Sequence, residues 1–100
     1  MVKVITEVSD IPAKGHVIID FFANWCGPCK RIAPVFAELA EKVPEITFLK
    51  VDVDESEELA QKFNVSALPT FVVVSNGSVV KRIEGADLNG LVKVVHELGQ

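Results

Sequence analysis

Cys26 and Cys29 are the residues whose type and spacing could carry covalent chemistry. They form a single C-x-x-C, and no further cysteine remains to staple distant parts of a fold. A bridge between them closes a loop of only a few residues and constrains the unfolded protein little, so a disulfide here serves chemistry more than stability. At the junction of a strand and a helix in a β/α protein, such a pair reads as a redox centre. Cys26 would stand at the helix N-terminus, where free amide groups and the helix dipole stabilise a thiolate. Cys29 lies one turn further on, on the same side. Gly27 and Pro28 let the backbone enter the helix, because proline in the first turn forfeits no hydrogen bond. Two other chemistries use cysteine. Structural zinc needs four ligands, and only His16 and His96, isolated in sequence, are left to complete a set. A Cys–His hydrolase would leave Cys29 without a role and would need a histidine brought to Cys26.

The elements that must position the pair follow from periodicity. Val2 to Val8 is a short β-prone stretch, and Ser9 to Gly15 predicts one or two turns of helix. His16 to Phe22 is an almost unbroken apolar run suited to a central strand covered on both faces. Asp20 is its one anomaly; its flanks Ile18, Ile19, Phe21 and Phe22 argue against a surface acid on an edge strand. From Lys30 to Val43, Ile32, Val35, Phe36, Leu39, Ala40 and Val43 share one helical face. Pro34 inside it predicts a kink, and Pro44 ends it. Ile46 to Val53 predicts a strand. Asp54-Glu55-Ser56-Glu57 predicts a helix start with Asp54 as cap, and Leu59, Ala60 and Phe63 give that helix its apolar face. The acids around it suit a helix N-terminus better than a calcium loop, whose spacing and glycine are missing. Thr70 to Val74 and Ser78 to Glu84 predict a hairpin closed by Asn76-Gly77. Asp87 caps a terminal helix whose face is Leu88, Leu91, Val92, Val95 and Leu98. The order β α β α β α β β α predicts parallel strands joined by helical crossovers, then an antiparallel hairpin.

The protein has 100 residues, 49% hydrophobic and 24% charged, which predicts one globular domain over residues 1–100. A domain of this size buries roughly 60–70% of the surface it exposes when unfolded, and it folds without staples. Fourteen acids against ten bases give a net charge of −4, a poor basis for nucleic-acid binding, which needs a basic patch. No apolar stretch approaches the ~20 residues of a membrane span. Met1 to Glu7 has no long apolar core of the signal-peptide kind, so the expected compartment is the cytoplasm, although a mature form stripped of a transit peptide would look the same.

The run Trp25-Cys26-Gly27-Pro28-Cys29-Lys30 resembles the active-site motif of the thioredoxin family, and the resemblance extends from the first strand to the terminal helix. Asp20, Pro34, Lys50 in K-V-D-V-D, and Leu68-Pro69-Thr70 all fall where that family has them. The wording F-F-A-x-W-C-G-P-C-K is closest to the eukaryotic cytosolic type. Asn24 and Leu68 depart from frequent family choices, and the extra cysteines of some animal relatives are missing. Protein disulfide isomerase domains usually carry histidine in place of Pro28, and no glutathione site of the glutaredoxin kind is found.

The resemblance implies a thioredoxin fold, a central five-stranded mixed sheet flanked by four helices. It implies a protein-disulfide reductase with a redox disulfide between Cys26 and Cys29, Cys26 the nucleophile and Cys29 the resolving thiol. Asp20 would be the proton acceptor, with Lys50 paired to it. Trp25, Gly27, Pro28, Leu68, Pro69, Gly85 and Ala86 would bind substrate, and Pro69 would follow a cis peptide bond. No bound cofactor or metal is implied. Electrons would come from NADPH through a thioredoxin reductase and pass to disulfide proteins such as peroxiredoxin, ribonucleotide reductase and methionine sulfoxide reductase. The protein would act as a monomer, with no nucleic acid or membrane partner.

Overall fold

The computed structural model describes residues 1–100. Five strands form one sheet: β1 (Val2–Val4), β2 (His16–Phe22), β3 (Thr47–Asp52), β4 (Thr70–Ser75) and β5 (Ser78–Glu84). Three α-helices cover it: α1 (Gly27–Lys42), α2 (Glu57–Lys62) and α3 (Leu88–Leu98). The strand order is β1-β3-β2-β4-β5. β3 runs parallel to both β1 and β2, while β4 is antiparallel to β2 and to β5. The apolar run of β2 therefore lies in the middle of the sheet, as its composition requires.

Alternation along the strands divides the core in two. Ile18, Phe48, Phe71 and Val73 point to one face and meet Ile32, Phe36 and Ala40 of α1 and Leu91, Val94 and Val95 of α3. Val17, Ile19, Phe21, Leu49, Val51, Val72 and Val74 point to the other and meet Leu59 of α2 and Phe63 just beyond it. The Phe36 ring lies edge-on to Phe48, 5.2 Å between centroids, and tilted against Phe71 at 5.6 Å. Phe36→Ala is expected to destabilise the protein by about 3–5 kcal/mol, because the rigid sheet beneath cannot collapse into the space left. Urea unfolding of the two proteins measures this.

Two expectations about helices need correction. The segment after β1 is a single 3-10 turn over Val8–Asp10 rather than an α-helix, so three α-helices flank the sheet and not four. The Asp10 carboxylate turns back to accept the Glu7 amide at 3.1 Å. Pro12 biases Ile11 to extended backbone, and Ile11 is extended, with φ −85° and ψ 121°. The helix cannot continue. The second correction is at α2, which starts after Ser56 rather than Asp54. The Asp52 carbonyl accepts the amides of both Glu55 and Ser56, so Asp52 to Ser56 closes a turn of its own before the helix begins. At the start of the last helix, Asp87 caps α3 as its position predicts, accepting the Gly90 amide at 2.9 Å.

Candidate active site

β2 delivers the backbone to the site. After Phe22, the Cys26 amide donates to the Ala23 carbonyl at 3.1 Å, and this turn sets Cys26 as the N-cap of α1. Cys26 has extended backbone, and its Sγ accepts the amide of Cys29 at 3.2 Å. That contact meets one of the helix's orphan donors, and it would equally stabilise negative charge on the sulfur. Pro28 falls in the first turn, where no amide is needed. Cys26 and Cys29 are joined by a disulfide, with Cα atoms 5.3 Å apart. Both are nearly buried, 5% and 4% exposed, so exposure does not distinguish them; the N-cap position does.

Leu68 and Val53 pack against Ala23, Cys26 and Cys29. The Leu68–Pro69 peptide is cis. Gly85 donates its amide to the Pro69 carbonyl at 2.8 Å, with φ +88°, a backbone conformation that favours glycine. Folding thus brings Leu68, Pro69 and Gly85 together beside the cysteines, and Ala86 follows as an exposed residue. Trp25 is 71% exposed, yet its indole is held, Nε1 donating to Asp54 Oδ2 at 2.9 Å. Asp54 in turn donates its amide to Asp52 Oδ1 at 3.0 Å. Sequence reasoning missed Asp54 as a neighbour of the site because an acid before a helical stretch reads as a cap. The only available signal was the surplus of candidate caps between Asp52 and Ser56.

Asp20 lies on the α1 face of β2, 1% exposed, and neither carboxylate oxygen has a hydrogen-bond partner. Burial raises its pKa to about 7 from 3.8, against the opposing pull of Lys50. Lys50 is its register partner on β3, but no ion pair joins them within 4 Å. The Lys50 amine instead sits over the Phe22 ring, 4.6 Å from its centroid, because a long cationic residue buries its stem and carries its charge outward. Lys50 lines a cleft of about 130 Å³ together with Phe22, Ala23, Asn24, Cys29 and Ala33 among others. The cleft leads from the surface to Cys29. No cluster of three or more His, Cys, Asp or Glu side chains is placed to hold a metal ion.

The family model described as Thioredoxin matches residues 5–97. The chain belongs to the thioredoxin family. The sheet and helices described above are the thioredoxin fold, and Cys26 and Cys29 stand at the family's active-site position. Their chemistry is dithiol–disulfide exchange, that of a thiol–disulfide oxidoreductase. The protein is 59% identical over 70 residues to an H-type thioredoxin of Oryza sativa subsp. indica, an alignment covering 70% of this protein and 57% of that one. It thus spans little more than half the length of that relative. It is 43% identical to thioredoxin 1 of Plasmodium falciparum, over 97% of both proteins. Among solved structures, it is similar to one from work on the thiol resolving mechanism in yeast mitochondrial 1-Cys peroxiredoxin via glutathione/thioredoxin systems. That likeness has a TM-score of 0.91 at 35% identity and covers 97% of this protein and 95% of the other. No helix of this thioredoxin-family protein is long and apolar enough to cross a membrane.

Proposed function

We propose that the protein is a general protein-disulfide reductase, working as a monomer through one domain over residues 1–100. The observation that carries this is Cys26 Sγ at the N-cap of α1, accepting an amide while bonded to Cys29. NADPH, through a thioredoxin reductase, delivers two electrons and opens the Cys26–Cys29 bond. Cys26 as thiolate then attacks a partner's disulfide. That S–S bond breaks, a mixed disulfide forms, and the leaving partner thiolate takes a proton. Cys29 gives its proton to Asp20 and attacks Cys26 Sγ, which releases the second partner thiol and restores the oxidised pair.

In this reading Asp20 serves because its pKa, raised by burial to about 7, matches a proton acceptor at neutral pH. Lys50 tempers that shift by its charge and keeps the cleft polar. Trp25, Gly27, Pro28, Leu68, Pro69, Gly85 and Ala86 form the surface on which an extended partner segment lies beside Cys26, in the manner of an added strand. Disulfide proteins such as peroxiredoxin, ribonucleotide reductase and methionine sulfoxide reductase are the partners we assign, and the cytoplasm is the compartment. The similarity to a structure from work on a peroxiredoxin supports the first of these partners. Cell fractionation that recovers the protein in mitochondria would overturn the assigned compartment.

The test couples the protein to NADPH and a thioredoxin reductase, with a disulfide-linked substrate that precipitates once reduced. Turbidity should rise with NADPH consumption and depend on this protein. A folded protein that binds partners yet leaves turbidity at the uncatalysed rate would instead be a binding subunit.

A further inference from the structure

The sequence has two Asn-Gly pairs, Asn76-Gly77 and Asn89-Gly90, and the fold treats them differently. Asparagine is a thermolabile residue, and before glycine it is least shielded by a neighbouring Cβ. We propose that Asn76 is a site of spontaneous deamidation to isoaspartate and aspartate in the folded protein, and that Asn89 is protected. The Gly77 nitrogen attacks Asn76 Cγ. The Cγ–Nδ2 bond breaks, and ammonia leaves with the proton of the Gly77 amide. Water then opens the succinimide. Breaking the Cγ–N bond gives aspartate, and breaking the bond from the Asn76 carbonyl carbon to the same nitrogen gives isoaspartate. One water enters, one ammonia leaves, and no oxidation state changes.

Three observations separate the pairs. The first is the attacking nitrogen. Gly77 lies at the exposed tip of the β4–β5 hairpin, between the paired residues Ser75 and Ser78, and its amide donates no hydrogen bond. The Gly90 amide donates to Asp87 Oδ1 at 2.9 Å, and the carboxylate opposes the loss of that proton. The second is the electrophile. Asn76 Oδ1 accepts the Gly15 amide at 2.9 Å, a donor placed where negative charge develops as the tetrahedral intermediate forms. Asn89 Oδ1 accepts no hydrogen bond. The third is the backbone. Asn76 sits at φ +50° in an exposed turn. Its amide donates to the Gly15 carbonyl at 3.0 Å, which keeps the Asn76 side chain on its Gly15 donor while the unbonded Gly77 peptide beyond it turns at small cost. Asn89 lies in the first turn of α3, whose start is tied down by the Asp87 cap and the bond from the Leu91 amide to the Asp87 carbonyl at 3.0 Å. The hairpin tip is at the end of β4 away from Pro69, so the reaction adds negative charge far from the cysteines.

Peptide mapping by mass spectrometry after warm incubation at mildly alkaline pH tests this, with isoaspartate quantified by a protein-isoaspartate methyltransferase. In the folded protein, Asn89 is expected to react at least about tenfold more slowly than Asn76. In urea the two rates should converge, because the sequences at the reacting atoms are alike. Asp87→Ala should accelerate Asn89 and leave Asn76 unchanged. Equal rates in the folded protein, or reaction at Asn89 first, would overturn the proposal. So would a folded protein in which Asn76 stays intact while both sites react in urea.

Discussion

Cys26→Ser should reduce turnover in the coupled assay by at least about a thousandfold, because it removes the only sulfur placed at the helix N-cap. Cys29→Ser should stop turnover as well, but differently. The attack by Cys26 survives, the resolving step is lost, and mixed disulfides between Cys26 and partner proteins accumulate. Non-reducing gels of the two variants incubated with a disulfide substrate distinguish the roles. The physical asymmetry is local. Cys26 Sγ receives an amide hydrogen bond and faces the positive end of α1. Cys29 lies within the helix, lining the cleft that holds Lys50. In the reduced protein at mildly acidic pH, iodoacetamide should accordingly label Cys26 first. Trapping of partners by Cys26→Ser and not by Cys29→Ser would reverse the assignment.

Asp20→Asn should stabilise the protein at and above neutral pH while slowing reduction. The carboxyl is buried with no hydrogen-bond partner, and its folded pKa of about 7 lies above the unfolded value near 3.8. Below that lower value both states hold the proton, and Asp20 adds no pH dependence. Between the two values the native state keeps a proton that the unfolded state has lost, so stability falls as pH rises. Above about 7 both states have lost the proton, and the full cost remains. Three pK units correspond to roughly 4 kcal/mol at most, with relaxation around the buried carboxylate reducing the realised figure. Asparagine resembles the protonated acid in shape. The variant should therefore match the wild type in acid and exceed it by about 2–4 kcal/mol at mildly alkaline pH. Urea unfolding across that pH range reads the difference. Loss of the proton acceptor should slow reduction by about tenfold to a hundredfold. A stability difference independent of pH would show that Asp20 carries no raised pKa, and an unchanged reduction rate would show that it does not accept the proton of Cys29.

What was legible in the sequence was whatever depends on residues close to one another along it. The three-residue step from Cys26 to Cys29 places both on one helical turn, so their pairing needed no knowledge of the rest of the fold. The apolar stripe from Ile32 to Val43, the Asn76-Gly77 turn and the Asp87 cap are equally local, and all three are in the structure. The burial of Asp20 was readable too, because its neighbours on both sides are Ile and Phe. Tertiary structure decided what depends on contacts between distant segments. Trp25 and Asp54 are 29 residues apart, and only the return of β3 beside β2 puts the carboxylate within reach of the indole N–H. An acid in a turn has several amides within reach, so its sequence position cannot say which donor it will take. Lys50 is a register partner of Asp20, yet where its amine goes depends on the Phe22 ring and the open cleft, since a long flexible residue follows the path to solvent. Gly85 meets Pro69 because β5 pairs back on β4 and brings the two ends of the hairpin together beside Cys26. Backbone propensity sets an element within a few residues, whereas the neighbours of a residue are set by how sheet and helices close over one another.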